Sequence, residues 1–253
     1  MKFLTKKDWE SFLGRLYLNK NKSSGRNWGV RSEKIEILFF EISKIIEEIC
    51  KSKNLNHTSF GIAMTFVHYY ACFYDYRTIE KYELAFACFY MSTKVQFNFI
   101  KLPELIEECQ NFINKNNPVN EQEKDKKKDL DLIKYEIQVY SLLGYDLDIE
   151  TPYQMYYYNL KNLQDKFQIL KNSDNLEKMK TFCFNLITDT YTRPLSIYYH
   201  PKIIYLSCLI FTFKFLEFNE CNIEKLVENE NVDLIAECME NINDIYAKYV
   251  ENS

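Results

Sequence analysis

Apolar residues recur at intervals of three and four along most of this chain, which places them on one face of a helix. The pattern is clearest where Ile35, Leu38, Phe39 and Ile42 begin a series that continues to Ile49. Gly and Pro occur only five times each, well below the roughly 7% and 5% of an average protein, which also favours helices. The pattern predicts two sets of about five helices, near residues 32–53, 58–74, 80–97, 102–114 and a fifth ending near Gly144, then 153–164, 174–192, 201–217, 221–229 and 231–250.

Polar segments mark the limits of the predicted domains. The stretch "NKNNPVNEQEKDKKKD", residues 114–129, contains almost no apolar residue and is predicted to be a solvated loop. A second polar segment, Asp148 to Pro152, is predicted to link the two sets of helices. The chain then divides into an N-terminal extension, a first domain and a second domain, at residues 1–31, 32–148 and 149–253.

Each half of the chain contains one predicted helix whose sequence resembles that of a helix in the other half. In "AFACFYMSTK" a small residue and a cysteine precede Lys94, with the cysteine six positions ahead of it. The stretch "YLSCLIFTFK" repeats this spacing before Lys214. The first of these helices is apolar on more than one side, which predicts a central helix surrounded by others. Small residues in such a helix allow its neighbours to approach closely.

Two charged residues stand among apolar neighbours. Lys94 lies within the run "FACFYMSTKVQFNF", and Glu136 is flanked at three and four residues by Leu132, Ile133 and Val139. A charge in such surroundings needs an opposite charge or access to water. One interpretation is that the two residues pair, or reach water, for structural reasons alone. The other is that both lie at a protein–protein interface, where they hold the end of a helix through its backbone.

Composition excludes several other functions. The net charge of −4 and pI of about 5.6 give no basic surface for nucleic acid, so no direct nucleic-acid binding is expected. Eight cysteines without C-x-x-C spacing indicate reduced, buried thiols in an intracellular protein, with neither zinc nor disulfides expected. No glycine-rich phosphate loop or nucleophile motif occurs, so we expect no catalysis and no cofactor. The longest apolar run, 203–213, is too short to cross a membrane.

Three stretches, taken in order, resemble the cyclin box: "FVHYYACF", "ELAFACFYMSTKV" and "LIKYEIQVYSLLGYDLDIETPYQ". The second half, "LITDTYTRPLSIYYHPKIIYLSCLIF", is similar to the second box of transcriptional cyclins. The N-terminal "SSGRNWGV" and the later "TPYQ" resemble segments of the cyclin T and cyclin K branch. The resemblance to the transcriptional branch, which also includes cyclin C, covers about residues 9–250. It implies an all-α protein with two tandem five-helix cyclin boxes.

The resemblance also implies a kinase-binding surface. Lys94 falls on the family's lysine and Glu136 on its glutamate, a pair that contacts the kinase beside its regulatory helix. An acidic pair that follows the lysine in the family is replaced here by Gln96 and Phe97, which weakens the expectation of contacts to the kinase's activation segment. The family's apolar positions that pack on the kinase fall on Met91, Val95, Tyr140 and Tyr145.

The function that the resemblance implies is a regulatory, non-enzymatic subunit that binds and activates a cyclin-dependent kinase. The kinase would be a nuclear one acting on RNA polymerase II, and the subunit would be a monomer until bound to it. Three alternatives stay open. They are a transcription factor of the TFIIB type, which holds DNA with the same double box, a small helical enzyme, and a scaffold that binds a kinase without activating it.

Overall fold

The computed structural model describes residues 28–116, 131–218, 221, 223–227 and 230–251. Most of the predicted N-terminal extension and of the loop at 114–129 lies outside these residues. The described residues form helices and turns without a strand, and they fall into two compact units that meet in sequence between Ile149 and Glu150. The protein is therefore all-α, as the sequence predicts.

Among the described residues, the first unit has five α-helices and one short 3₁₀ turn. Its second helix begins where Asn56 Oδ1 accepts a hydrogen bond from the Ser59 amide at 3.0 Å, a side-chain cap that satisfies an otherwise unpaired helix donor. The elements are α1 (Trp28–Ser52), α2 (His57–Phe73), a 3₁₀ turn (Tyr76–Thr78), α3 (Lys81–Val95), α4 (Leu102–Asn116) and α5 (Leu132–Leu142).

The second unit begins with a strongly specified helix start. Thr151 and Gln154 form a capping box, and Pro152 occupies the first helical position, where its missing N–H costs nothing. The elements that follow are α6 (Pro152–Lys166), a 3₁₀ turn (Gln168–Lys171), α7 (Ser173–Thr190), α8 (Leu195–Tyr198), α9 (Pro201–Phe215), α10 (Glu224–Val227) and α11 (Val232–Glu251).

One helix in each unit is central. Helix α3 packs against α1, α2, α4 and α5, whereas α9 packs against α6, α7, α8 and α11. Ala85, Ala87 and Cys88 of α3 are fully buried, and their small side chains let the neighbouring helices approach. In α9, the Ser207 hydroxyl donates to the carbonyl oxygen of Ile203 at 2.9 Å and also contacts that of Ile235 in α11. Each unit is therefore built around its own buried helix.

The two central helices end in the same way. Both span 15 residues, and the second begins and ends 120 positions after the first. The residues that follow each helix, Phe97 and Glu217, adopt left-handed φ angles of 56° and 54°. In α3 the next amide donates back to Thr93 O at 2.8 Å, and in α9 the equivalent bond reaches Phe213 O at 3.0 Å. The similarity between the two halves of the sequence is therefore also present in the structure of the two central helices.

Several helix limits differ from the sequence predictions. Helix α1 begins at Trp28 rather than 32, and α9 ends at Phe215 rather than 217. Helix α3 ends at Val95 rather than 97 because Phe97 turns left-handed. Helix α10 is a single turn. The Leu226 amide donates a hydrogen bond to the Ile223 carbonyl oxygen, and the Glu230 amide donates one to that of Val227. Both bonds span three residues, the spacing of a 3₁₀ turn rather than of an α-helix. Helix α8, a single turn after Pro194, was not predicted, since four residues are too few for a periodic pattern.

Candidate protein-binding site

An ion pair joins the last turn of α3 to α5. The Nζ of Lys94 donates a hydrogen bond to Oε1 of Glu136, so the pairing expected from sequence is present. The Lys94 side chain is 30% exposed and that of Glu136 only 12% exposed. The pair is therefore neither a surface salt bridge nor a fully buried one, and part of the Lys94 side chain faces solvent.

Aromatic rings surround the charges on both helices. The Tyr90 ring lies one turn before Lys94, with its centroid 4.0 Å from Nζ, which is a cation–π contact. Partial burial lowers the pKa of Lys94, but the hydrogen bond and charge of Glu136 outweigh it, so the pKa is raised overall. Burial and then the charge of Glu136 raise the pKa of Tyr140, one turn after the carboxylate. Lys94 is consequently a fixed cation at physiological pH.

Two tyrosines form the end of α5. The Tyr140 and Tyr145 rings are stacked with centroids 6.3 Å apart and an interplanar angle of 14°. Their contact follows from the helix end, where Gly144 and Tyr145 take φ angles of 60° and 64° and the Tyr145 amide donates to Tyr140 O at 3.0 Å. This is a Schellman motif with its usual contact between the flanking side chains. Tyr140 is partly buried and Tyr145 is 73% exposed.

The other two predicted site residues differ in their access to a partner. Val95 is partly exposed at the end of α3, next to Lys94. Met91 has no exposed surface, because it faces the helices packed around α3. In the free chain Met91 therefore supports the site from inside, and its direct contact with a partner stays a prediction.

Sequence reasoning missed several exposed apolar residues near the pair. Ile133 and Ile137 lie one turn apart on α5 and are both exposed, although the sequence analysis counted Ile133 among the apolar neighbours of Glu136. The buried row of α5 is Leu132, Tyr135 and Val139, which is the adjacent row of the same pattern. After α3, Phe97 and Phe99 are exposed. Their closeness to Lys94 in the sequence could have indicated that they belong to the same surface.

Other kinds of site find little support in the described residues. Within these ranges, no group of three or more His, Cys, Asp or Glu side chains is arranged to hold a metal ion. Across the same ranges, no helix has the length and apolar character that a membrane span requires. The eight cysteines are free thiols, and all but Cys72 are buried.

The fold is that of cyclins. One similar solved structure is the yeast TFIIK (Kin28/Ccl1/Tfb3) complex, in which the matching subunit is the cyclin Ccl1. The two chains superpose with a TM-score of 0.58 and are 17% identical, and the match covers 83% of this chain and 86% of that chain. Another is the CAK complex of Chaetomium thermophilum bound to ATP-gamma-S, with a TM-score of 0.57, 13% identity, and coverage of 85% and 64%. No protein-family model and no curated protein sequence matches the chain. The resemblance to the cyclin T, K and C branch stays a prediction.

Proposed function

We propose that this chain is the regulatory subunit of a cyclin-dependent kinase and activates that kinase through the surface around Lys94 and Glu136. The observation that carries the proposal is the half-buried ion pair between α3 and α5, at the place where the cyclin resemblance puts the kinase contact. The fold shared with the TFIIK and CAK structures supports it. The chain supplies no reacting group, and it acts by favouring one conformation of its partner.

The geometry suits the capture of a helix end through its backbone. An ammonium group has three N–H donors, and the hydrogen bond to Glu136 uses one of them. The exposed part of Lys94 can present the others to carbonyl groups at the end of a partner helix, which lack partners within their own helix. Val95, Tyr140 and Tyr145 add apolar and aromatic surface around this polar centre. In a kinase, the helix so held carries the glutamate that must pair with the catalytic lysine.

The finer parts of the proposal rest on the transcriptional-cyclin resemblance. We expect the partner to be a nuclear kinase that phosphorylates the C-terminal repeats of RNA polymerase II. The chain would join it as a single copy, without direct contact to nucleic acid. The formal charge of −4 agrees with this last point, since phosphate binding needs clustered Lys and Arg.

The test is co-expression of the chain with each cyclin-dependent kinase catalytic subunit encoded by the same genome. A stable complex should form with one of them, and it should phosphorylate a peptide of RNA polymerase II repeats much faster than the catalytic subunit alone. A complex without stimulation would favour the scaffold, an alternative kept open by Gln96 and Phe97. No complex, together with tight DNA binding in a gel shift, would favour the TFIIB-like function.

A further inference from the structure

Two phenylalanines directly after α3 are exposed to an unusual degree. Phe97 and Phe99 are 81% and 76% exposed, and their rings meet edge to face with centroids 6.4 Å apart. An isolated exposed apolar residue is ordinary, but a paired aromatic surface next to a half-buried ion pair is what interfaces use as an anchor. In the free protein neither ring is covered by the core.

The backbone at Phe97 adopts a conformation that its residue type disfavours. Its φ of 56° is left-handed, a conformation that bulky residues seldom adopt. Two other helices of the same unit end with a left-handed residue, and they use Asn54 after α1 and Gly144 after α5, the two residue types that accept it most readily. Phe97 stands where Asn or Gly would lower the energy. Glu217 has a similar φ after α9, so what distinguishes Phe97 is the combination of a disfavoured backbone with a highly exposed aromatic pair.

The aromatic pair is continuous with the site around Lys94. The Phe97 amide donates to the carbonyl oxygen of Lys94 at 3.1 Å, and the Asn98 amide to that of Thr93 at 2.8 Å. The left-handed turn therefore fixes Phe97 to the same helix end that carries the ion pair. A partner that covers the exposed part of Lys94 meets residues 96–99 next.

We propose that Phe97 and Phe99 form the apolar anchor of the kinase interface, and that the catalytic subunit presents an apolar pocket to them. This inference rests on the proposed function and adds the chemistry of its partner at one place. The two rings carry no charge, so a pocket lined by aliphatic or aromatic side chains matches them, whereas an arginine-lined one would be left without a counter-charge. Phe97 and Phe99 would therefore favour catalytic subunits with an apolar pocket over those with a charged one.

The experiment separates strain from binding with Phe97→Asn. Asparagine accepts the left-handed conformation, so the melting temperature of the free chain should stay equal or rise by about 1–4 °C. Binding to the catalytic subunit identified by co-expression, measured by biolayer interferometry, should weaken about tenfold or more, because a buried aromatic contact is lost. Phe99→Ser should weaken binding similarly without raising the melting temperature.

The matched control is Glu217→Asn, at the equivalent left-handed position after α9. It should raise the melting temperature in the same way and leave kinase affinity unchanged. If Phe97→Asn does not fold, Phe99→Ser decides alone.

Wild-type affinity in the Phe97 and Phe99 variants, with weakened affinity in Lys94→Ala, overturns this inference and leaves the proposed function standing. Failure of the wild-type chain to bind any catalytic subunit overturns both. Loss of self-association by the free variants with unchanged kinase affinity also overturns the inference, since the pair would then serve contact between copies.

Discussion

Replacing Glu136 by Gln should separate the folding role of the ion pair from its binding role. The substitution keeps the shape and one acceptor for Lys94 but removes the opposite charge. Exposed ion pairs contribute at most about 1 kcal/mol to folding, and breaking a fully buried pair costs about 3–5 kcal/mol. With side chains 30% and 12% exposed, this pair lies between those limits, so we expect a loss of about 1–3 kcal/mol. For a unit of this size that lowers the melting temperature by about 3–10 °C.

Binding should suffer more than folding. In the complex the remaining exposed part of Lys94 is covered, and a charge left without its partner at an interface costs on the order of 2–5 kcal/mol. Affinity for the catalytic subunit should therefore fall by about 30-fold or more, with a parallel loss of kinase stimulation. Urea unfolding and titration against the purified catalytic subunit measure the two effects separately.

The double variant Lys94→Met with Glu136→Gln gives the sharpest contrast. It removes both charges, so no buried charge is left unpaired and folding stability should largely recover. Kinase affinity should stay low, because the polar centre of the interface is gone. The Lys81–Glu41 pair at the other end of α3, with Nζ and Oε1 3.0 Å apart and both side chains more exposed, is the matched control. Lys81→Met should change folding by no more than about 1 kcal/mol and leave affinity unchanged.

Two results would refute the reasoning. Unchanged kinase affinity in Glu136→Gln, with a large drop in melting temperature, would make the pair purely structural. Recovery of both folding and affinity in the double variant would show that the interface needs neither charge.

Three further outcomes follow from the structure. Tyr90→Leu removes the ring 4.0 Å from Lys94 Nζ and should lower the free energy of unfolding by about 0.5–1 kcal/mol beyond any packing change, as a double-variant cycle with Lys94→Met would show. Ala87→Leu in the core of α3 should destabilise by about 1–3 kcal/mol in urea, whereas Leu at the exposed Ile137 should change little. Burial raises the pKa of the Cys50 and Cys183 thiols from 9.0 to about 12. A thiol reagent should therefore label these two cysteines slowly in the native protein, and it should label all eight cysteines in the urea-unfolded protein. Above about pH 9 the unfolded chain ionises these thiols more readily than the folded chain does, so the free energy of unfolding should fall as the pH rises towards 12. Urea titrations at pH 7.5 and 10.5 would detect this loss.

The long helices could be predicted because a single physical signal determines them. Helices α2, α3 and α9 lie within two residues of their predicted limits, since burial of a continuous apolar row both forms the helix and appears in the sequence. Lys94 and Glu136 stood out for the same reason, as charges inside such rows, and their pairing was one of the two interpretations that the sequence allowed. Only the cyclin resemblance put the pair on a kinase-binding surface.

The misses come from features that carry no such signal. Phe97 ends α3 in a conformation that its residue type disfavours, so no local preference could place the helix end. On α5, Leu132 and Ile133 belong to adjacent apolar rows, and their spacing does not tell which row faces the core. The surrounding helices decide this, and they leave Ile133 exposed. Met91 is buried for a similar reason, because α3 is enclosed on all sides by its neighbours.

The correspondence between α3 and α9 bears on the evolutionary history of the chain. Equal lengths and equal left-handed ends in the two central helices are what tandem duplication of an ancestral gene segment would leave behind. After such an event each copy diverges under its own selection. Phe97 and Glu217 are then descendants of one ancestral position, and the costly aromatic residue persisted or arose in only the first copy. A phylogeny of related chains should show position 97 changing more slowly than position 217.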